Sequence, residues 1–143
     1  MNYNISIGNS GEYYVAGELE RRGFTVAVQM SNTKDFDILV INRNNNKQFA
    51  VQVKTTTKKG WLLNKKNENL EGDNIIYVLV KLKNLDPPQY HIVPSKIMAK
   101  RLRESHQEWL NKPGKNGQKH NDNTMREFSD INNEYLNKWE YFE

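Results

Sequence analysis

The chain has 143 residues, the usual length of one domain and enough to bury a core without disulfide or metal staples. It contains no cysteine, which excludes a disulfide framework, a thiolate metal site and a cysteine nucleophile. Lys plus Arg outnumber Asp plus Glu by 21 to 17, and the pI near 9.2 leans towards an anionic partner such as nucleic acid.

Glu12, Glu18, Glu20, Arg21 and Arg22 stand where a signal peptide needs an apolar core. The longest aliphatic run, IIYVLV at 75–80, is far shorter than the about 20 apolar residues that a membrane span requires. The expectation is a cytoplasmic protein with no membrane contact, built as a single domain over residues 1–143.

GNSGEYYVAGELERRGF predicts a first helix over 10–22, with Val15, Ala16 and Leu19 at helical spacing and Gly23 as its terminator. TVAVQM (25–30), FDILVIN (36–42) and QFAVQVKT (48–55) are rich in β-branched residues, and the polar turn RNNNK joins the last two as a β-hairpin. The abundance of asparagine, including the run within that turn, reads as loop chemistry or genome bias rather than function. A polar, Lys-rich stretch follows to Asp73. NIIYVLVKL (74–82), the turn NLDPP and YHIV (90–93) then predict a second antiparallel pair. Ser95 is placed to cap a helix over KIMAKRLRESHQEWL, and NKPGKNGQKHNDN (111–123) reads as a long surface loop. Tyr135, Trp139 and Phe142, spaced by four and three, predict a short amphipathic C-terminal helix. This order of elements gives an α/β sandwich with a central mixed β-sheet flanked by helices.

Strand alternation places Gln48, Ala50, Gln52 and Lys54 on one face of the third strand, opposite Phe49, Val51, Val53 and Thr55. An amide and an ammonium therefore point the same way from an apolar strand. Asp37 opens the preceding strand, and the short turn brings the two strands side by side. Glu12 is offset from Val15, Ala16 and Leu19 by three, four and seven residues, so it leads the inward stripe of the first helix. A carboxylate, an amide oxygen, a backbone carbonyl and an ammonium can meet at one sheet edge, and oxygen ligands of that kind suit Mg²⁺, which takes one or two carboxylates and keeps several waters.

Each residue also has a plainer reading. Glu12 in a first helical turn would offset the helix dipole or pair with Asn9 as a cap. Asp37 would be a strand-start residue, and Gln52 and Lys54 the solvent side of an edge strand. Asp35 stands two residues before Asp37 and would be a second ligand or the end of a solvated loop. Lys58, Lys59, Lys65 and Lys66 surround Trp61, and Lys34 precedes the acidic pair. Backbone-tracking charge around a stackable ring is what nucleic-acid sites use, and solvated loop lysines are the alternative. His91, His106 and His120 are too dispersed for a zinc site and are assigned no role.

Glu on the first helix, Asp at a strand start, a hairpin and then Gln52-Val53-Lys54 resemble the PD-(D/E)xK nuclease superfamily, the restriction-endonuclease-like fold. GEYYVAGELERRGF, FDILV and VQVK are similar to its archaeal Holliday-junction resolvase branch, with the resemblance covering residues 8–56. From about residue 94 the chain looks like a family-specific helical extension. Two departures stand out: Gln52 replaces the signature acid, and Phe36 replaces the proline that normally precedes the Asp.

The resemblance implies Mg²⁺- or Mn²⁺-dependent hydrolysis of phosphodiester bonds in DNA, of a structured or branched kind. Glu12, Asp37, Gln52 and Lys54 are the implied catalytic residues, and Glu12, Asp37, Gln52 and the Val53 carbonyl the implied metal ligands. Lys34, Lys58, Lys59 and Trp61 are the expected nucleic-acid contacts. Lys54 would orient or activate water and offset charge on the phosphorane. Cutting both strands would favour a homodimer. The competing readings are a non-catalytic nucleic-acid-binding module that keeps the fold, and an interaction protein with an incidental pocket.

Overall fold

The structure, a computed structural model, describes residues 3–29 and 36–143. Helix α1 (Tyr3–Arg21) precedes strands β1 (Thr25–Val28), β2 (Ile38–Asn42), β3 (Lys47–Thr56) and β4 (Trp61–Asn64). A 3-10 turn (Lys65–Asn69) leads to β5 (Ile75–Lys81) and β6 (Gln89–Pro94). Helix α2 (Ser95–Asn111), strand β7 (Met125–Phe128) and a 3-10 turn (Trp139–Phe142) complete the chain. The main sheet has the order β1-β2-β3-β5-β6, and β4 and β7 form a separate two-stranded sheet.

Only the β3–β5 pairing is parallel within the main sheet. Strand β5 is therefore covered on both faces, which explains why IIYVLV is a continuous apolar run rather than an alternation. Val15 and Leu19 of α1 pack with Phe49, Val51, Val53, Val78 and Ile92 on one face. Tyr77, Leu79 and Val93 point the other way, against Met98 and Leu102 of α2 and against Trp61, Leu63 and Phe128 of the small sheet.

The local signals explain most of these boundaries. Gly23 has φ +93, and Gly23 N–H reaches Glu20 O (2.9 Å) while Phe24 N–H reaches Leu19 O (3.1 Å), the paired bonds of a Schellman stop. All four non-glycine residues with positive φ among the described residues are asparagines: Asn46, Asn84, Asn133 and Asn137. Four of the asparagines thus serve left-handed turn positions, Asn46 in the hairpin turn between β2 and β3 among them.

Several expectations need correction. Helix α1 begins at Tyr3 rather than residue 10, so Glu12 lies in the helix interior and not in a first turn. Ser95 does not cap α2; Pro94 holds that position, and the buried Ser95 hydroxyl instead donates to Gly72 O (2.9 Å) and accepts Gly72 N–H (3.0 Å). The polar stretch before Asp73 hides β4, four residues long and too short for a periodicity signal. No C-terminal α-helix forms: residues 125–142 make β7, a loop and one 3-10 turn, with Tyr135, Trp139 and Phe142 buried nonetheless. The α-helical spacing of those rings reflects a segment that wraps round the β6 edge, where Ile92 N–H donates to Tyr135 O and Asn137 N–H to Tyr90 O. Among the described residues no helix is long and apolar enough to cross a membrane.

The wrap is fastened by a buried pair. His91 Nδ1 lies 2.7 Å from Asp130 Oδ2, and Asp130 also accepts the Glu134 and Tyr135 N–H groups. Burial alone would raise the Asp130 carboxyl, but His91 and the two N–H donors outweigh it and hold the group below the usual carboxylate range. A depressed carboxylate stabilises the fold above its unfolded value, 3.8, and that contribution disappears as pH falls through the lower folded value. Asp130→Asn is expected to lose about 1–3 kcal/mol in urea melts at pH 7. The gap from wild type should narrow as the pH is taken below 3.8.

Candidate active site

Strand β2 starts at Ile38, paired with Val51, and Asp37 stands one residue outside the ladder. Its backbone is still fixed at both ends: Asp37 N–H donates to Val51 O (2.9 Å), and Asp37 O accepts Gln29 N–H (2.8 Å). Its carboxylate then does what the next β2 residue would have done, with Oδ2 accepting Val53 N–H at 2.8 Å. The N–H and C=O of one strand residue point to the same side, so the Val53 carbonyl is also directed to this edge.

On β3, Val51 and Val53 are buried under α1 while Gln52 and Lys54 are half-buried on the opposite face. Gln52 is level with Tyr77 and Lys54 with Leu79 on β5. Among the described residues, neither the Gln52 amide nor the Lys54 ammonium has a hydrogen bond or an ion pair. Tyr77, beside Gln52, is spoken for: Asn67 Nδ2 donates to its hydroxyl (2.9 Å), and burial pushes its pKa up to about 12 despite that bond.

Glu12 reaches the same edge from α1. Partial burial raises its carboxyl above the ordinary 4.5, the negative charge of Asp37 raises it further, and the Lys54 ammonium pulls it back. These opposing fields put both carboxylates and the ammonium within electrostatic reach of one another. The approach depends on Gly11, the residue before Glu12. A Cβ there would come within 1.8 Å of Thr55 Oγ1 and 3.0 Å of Thr55 Cβ, so only glycine lets α1 lie this close to β3. Gly11 and Thr55 are the sequence neighbours of Glu12 and Lys54, and their contact sets the spacing of the two charged groups.

Asp37 is thus bonded to the Val53 N–H, Glu12 lies within electrostatic reach of Asp37 and Lys54, and Gln52 shares the face of Lys54 on β3. Lys58 and Lys59 are exposed on the bend between β3 and β4, where Lys58 N–H donates to Thr56 Oγ1. Trp61 is not a surface ring: it is 1% exposed, its Nε1–H donates to Val80 O (2.9 Å), and the Lys81 ammonium lies 4.9 Å from its ring centre. Its apolar neighbours Leu62 and Leu63 alternate out and in, the one sign that Trp61 begins a strand. Lys34 and Asp35 lie outside the described residues. Sequence reasoning missed Gly11; a glycine inside a strongly helical segment was the available signal.

Among the described residues no cluster of three His, Cys, Asp or Glu side chains is arranged to hold a metal ion. The oxygen set here is two carboxylates, one amide and one backbone carbonyl, which matches the hard, sparsely charged coordination of Mg²⁺ better than a nitrogen-rich site.

No protein-family model and no curated protein matches the chain. A bacterial homing endonuclease, I-Ssp6803I, is similar in structure, with a TM-score of 0.59, 9% identity, and coverage of 98% of this chain and 91% of that one. The Holliday junction resolvase Hjc of Archaeoglobus fulgidus aligns with a TM-score of 0.49 and 12% identity over 86% of this chain and 84% of that one. The chain has the restriction-endonuclease-like α/β fold.

Two measurements probe the geometry without any substrate. A raised carboxyl favours the folded state when protonated, so its cost appears as pH rises from 4.5 through the higher folded value. Glu12→Gln should therefore be as stable as wild type or more so at pH 7, with the advantage vanishing below 4.5 in thermal melts. Gly11→Ala should cost about 1–3 kcal/mol by overpacking. Thr55→Ala in the same chain should recover part of that loss, since it removes the nearest atom, Oγ1.

Proposed function

We propose that this chain is a divalent-metal-dependent nuclease that hydrolyses phosphodiester bonds in DNA, with branched or otherwise structured DNA as the finer reading. The observation that carries it is the Asp37 carboxylate fixed on the Val53 N–H, coupled through Glu12 to a half-buried Lys54 that has no ion-pair partner among the described residues. A bland solvent face would leave these groups apart. Here three elements spend packing and desolvation to bring like charges together around one ammonium, an arrangement that stability alone does not select.

Asp37 and Glu12 supply the anionic oxygens for the ion, and the Gln52 amide oxygen and Val53 carbonyl supply neutral ones. When bound, a Mg²⁺ or Mn²⁺ ion would polarise the phosphate and neutralise part of its charge. Lys54 directs its ammonium into the same edge, where it orients the attacking water and offsets the charge that builds on the phosphate oxygens. Tyr77 keeps its proton on this face, because burial, despite the Asn67 bond, leaves its hydroxyl far from ionising near neutral pH. Lys58 and Lys59, on the bend next to β3, are the cations best placed to follow the backbone of the bound strand. The reading includes a cytoplasmic location, and a two-fold pair of chains where both strands are cut.

One observation favours a second reading, a non-catalytic DNA-binding module. The site has Gln52 in place of an acid, and so one negative charge fewer to hold an ion.

The assay is cleavage of labelled linear, single-stranded and four-way-junction DNA with Mg²⁺ and with Mn²⁺. Lys54→Ala is expected to lose about 10²-fold or more in rate while its melting temperature stays equal or rises. Asp37→Ala should lose cleavage together with divalent-ion binding measured by calorimetry, and Gln52→Glu should bind the ion at least as tightly as wild type. Wild-type inactivity on every substrate, with salt-dependent DNA binding intact, would select the binding module instead.

A further inference from the structure

The net positive charge of the chain is not spread evenly. Residues 95–124, which make up α2 and the loop after it, contain seven Lys and Arg against three Asp and Glu, an excess of 7 − 3 = +4. The whole chain has 21 − 17 = +4, so the remaining residues balance to zero. Lys96, Lys100, Arg101 and Arg103 of α2 each lie within 4.0 Å of a carboxylate, whereas Lys112, Lys115 and Lys119 have no ion pair among the described residues. The uncompensated charge is on the loop.

That loop folds back onto the end of α2. His120 stacks on Trp109 with ring centres 4.1 Å apart, and His106 Nε2 meets Asp122 Oδ1 at 2.7 Å. Trp109 and His106 line a cavity of about 500 Å³ between α2 and the β4–β7 sheet, and Lys112 follows the end of α2 while Lys119 precedes His120 in the chain. The apolar lining of the cavity is Leu62, Trp109, Met125 and Phe128, of which Leu62 and Met125 are 64% and 58% exposed. Arg101 lies over the Phe128 ring, 5.5 Å from its centre. Lys65, which follows β4 and is also without an ion pair among the described residues, is tied to the loop end by its N–H to Thr124 O (2.8 Å). Arg126 also lines the cavity, but Glu68 takes its charge.

We infer that this groove between α2 and β7 binds unpaired nucleotides of a DNA strand, with phosphates along Lys65, Lys112, Lys115 and Lys119 and bases against Leu62, Met125 and the Arg101–Phe128 stack. A duplex turns its base faces inward and would leave the exposed apolar floor unused; an unpaired strand presents flat apolar faces and a charged backbone at once. The groove lies on the same face of the main sheet as Gln52 and Lys54, since α2 and β4–β7 pack on the Tyr77 and Leu79 side. The one unpaired acid on the lining, Glu127, opposes binding. The inference rests on the proposed nuclease reading for the class of partner only, not for the site or its affinity.

The test is fluorescence anisotropy of a labelled single strand of about twelve nucleotides and of a matched duplex, without divalent ions, over a range of salt. Wild type should bind the single strand more tightly than the duplex. Lys112→Glu/Lys115→Glu/Lys119→Glu should weaken single-strand binding at least tenfold and lower the slope of log affinity against log salt by about 2. Leu62→Glu/Met125→Glu, at exposed positions, should weaken the single strand more than the duplex, and Glu127→Gln should tighten both. Binding of the single strand should also quench Trp109, the most exposed of the three tryptophans. Wild-type affinity and slope in the triple variant, with an unchanged melting curve, would overturn the inference whatever the cleavage assay shows. So would equal competition by an acidic peptide, which would make the groove a protein-binding surface. If Asp37→Ala binds the single strand like wild type and wild type cuts nothing, the nuclease reading fails and the groove assignment stands.

Discussion

The site depends on the hydrogen bond from Val53 N–H to Asp37 Oδ2. A strand that leaves a sheet abandons donors and acceptors on its neighbour, and a buried N–H without a partner is costly. At this edge the Asp37 side chain replaces the missing backbone acceptor, so β2 can end at Ile38 while β3 continues. The exchange opens the sheet at Val53 and fixes the carboxylate there with a charge-assisted bond, shorter and stronger than a neutral one. Everything else at the site is measured from that point: Gln52 and Lys54 follow by alternation along β3, and Glu12 follows from the close seat of α1 on Thr55.

Gln52 is intelligible in that electrostatic setting. Asp37 already pushes the Glu12 carboxyl up, and Lys54 alone counters it. A third carboxylate between them would place three like charges around one ammonium in a half-buried pocket, raising the cost of the unliganded fold. An amide keeps an oxygen donor at the same reach and adds no repulsion. On the proposed reading the exchange would favour the stability of the free protein over its attraction for a cation, a trade between resting stability and function.

How much of this was legible in the sequence follows from how local each determinant is. Strand parity is a property of consecutive residues, so the shared face of Gln52 and Lys54 could be read directly, as could the Gly23 stop and the hairpin turn. Gly11 was not legible as a packing device, because its partner Thr55 lies 44 residues away and nothing local marks it. Residues 125–142 misled for the opposite reason. Tyr135, Trp139 and Phe142 have helical spacing but separate destinations, Tyr135 on the α2 face and Trp139 and Phe142 on the α1 face, as the segment turns round the edge of β6. His91 and Asp130, unremarkable in the sequence, hold that turn through the buried Nδ1–carboxylate hydrogen bond, with Asp130 also taking two backbone N–H groups.

Trp61 shows how a correct composition reading can assign the wrong job. A tryptophan among lysines suggests a stacking platform, yet the ring is buried against His91 and Phe128 with its indole N–H on Val80 O. It contributes to the site differently. The bend that carries Lys58 and Lys59 is held at one end by Thr55, packed on Gly11, and at the other by Trp61, sunk in the α2-side core. A bend pinned at both ends has little backbone freedom left to lose, so on the proposed reading its two lysines would meet a phosphate backbone with less ordering cost than the same residues on a free loop. On the proposed reading the buried ring would serve recognition through the chain it anchors rather than through its own face.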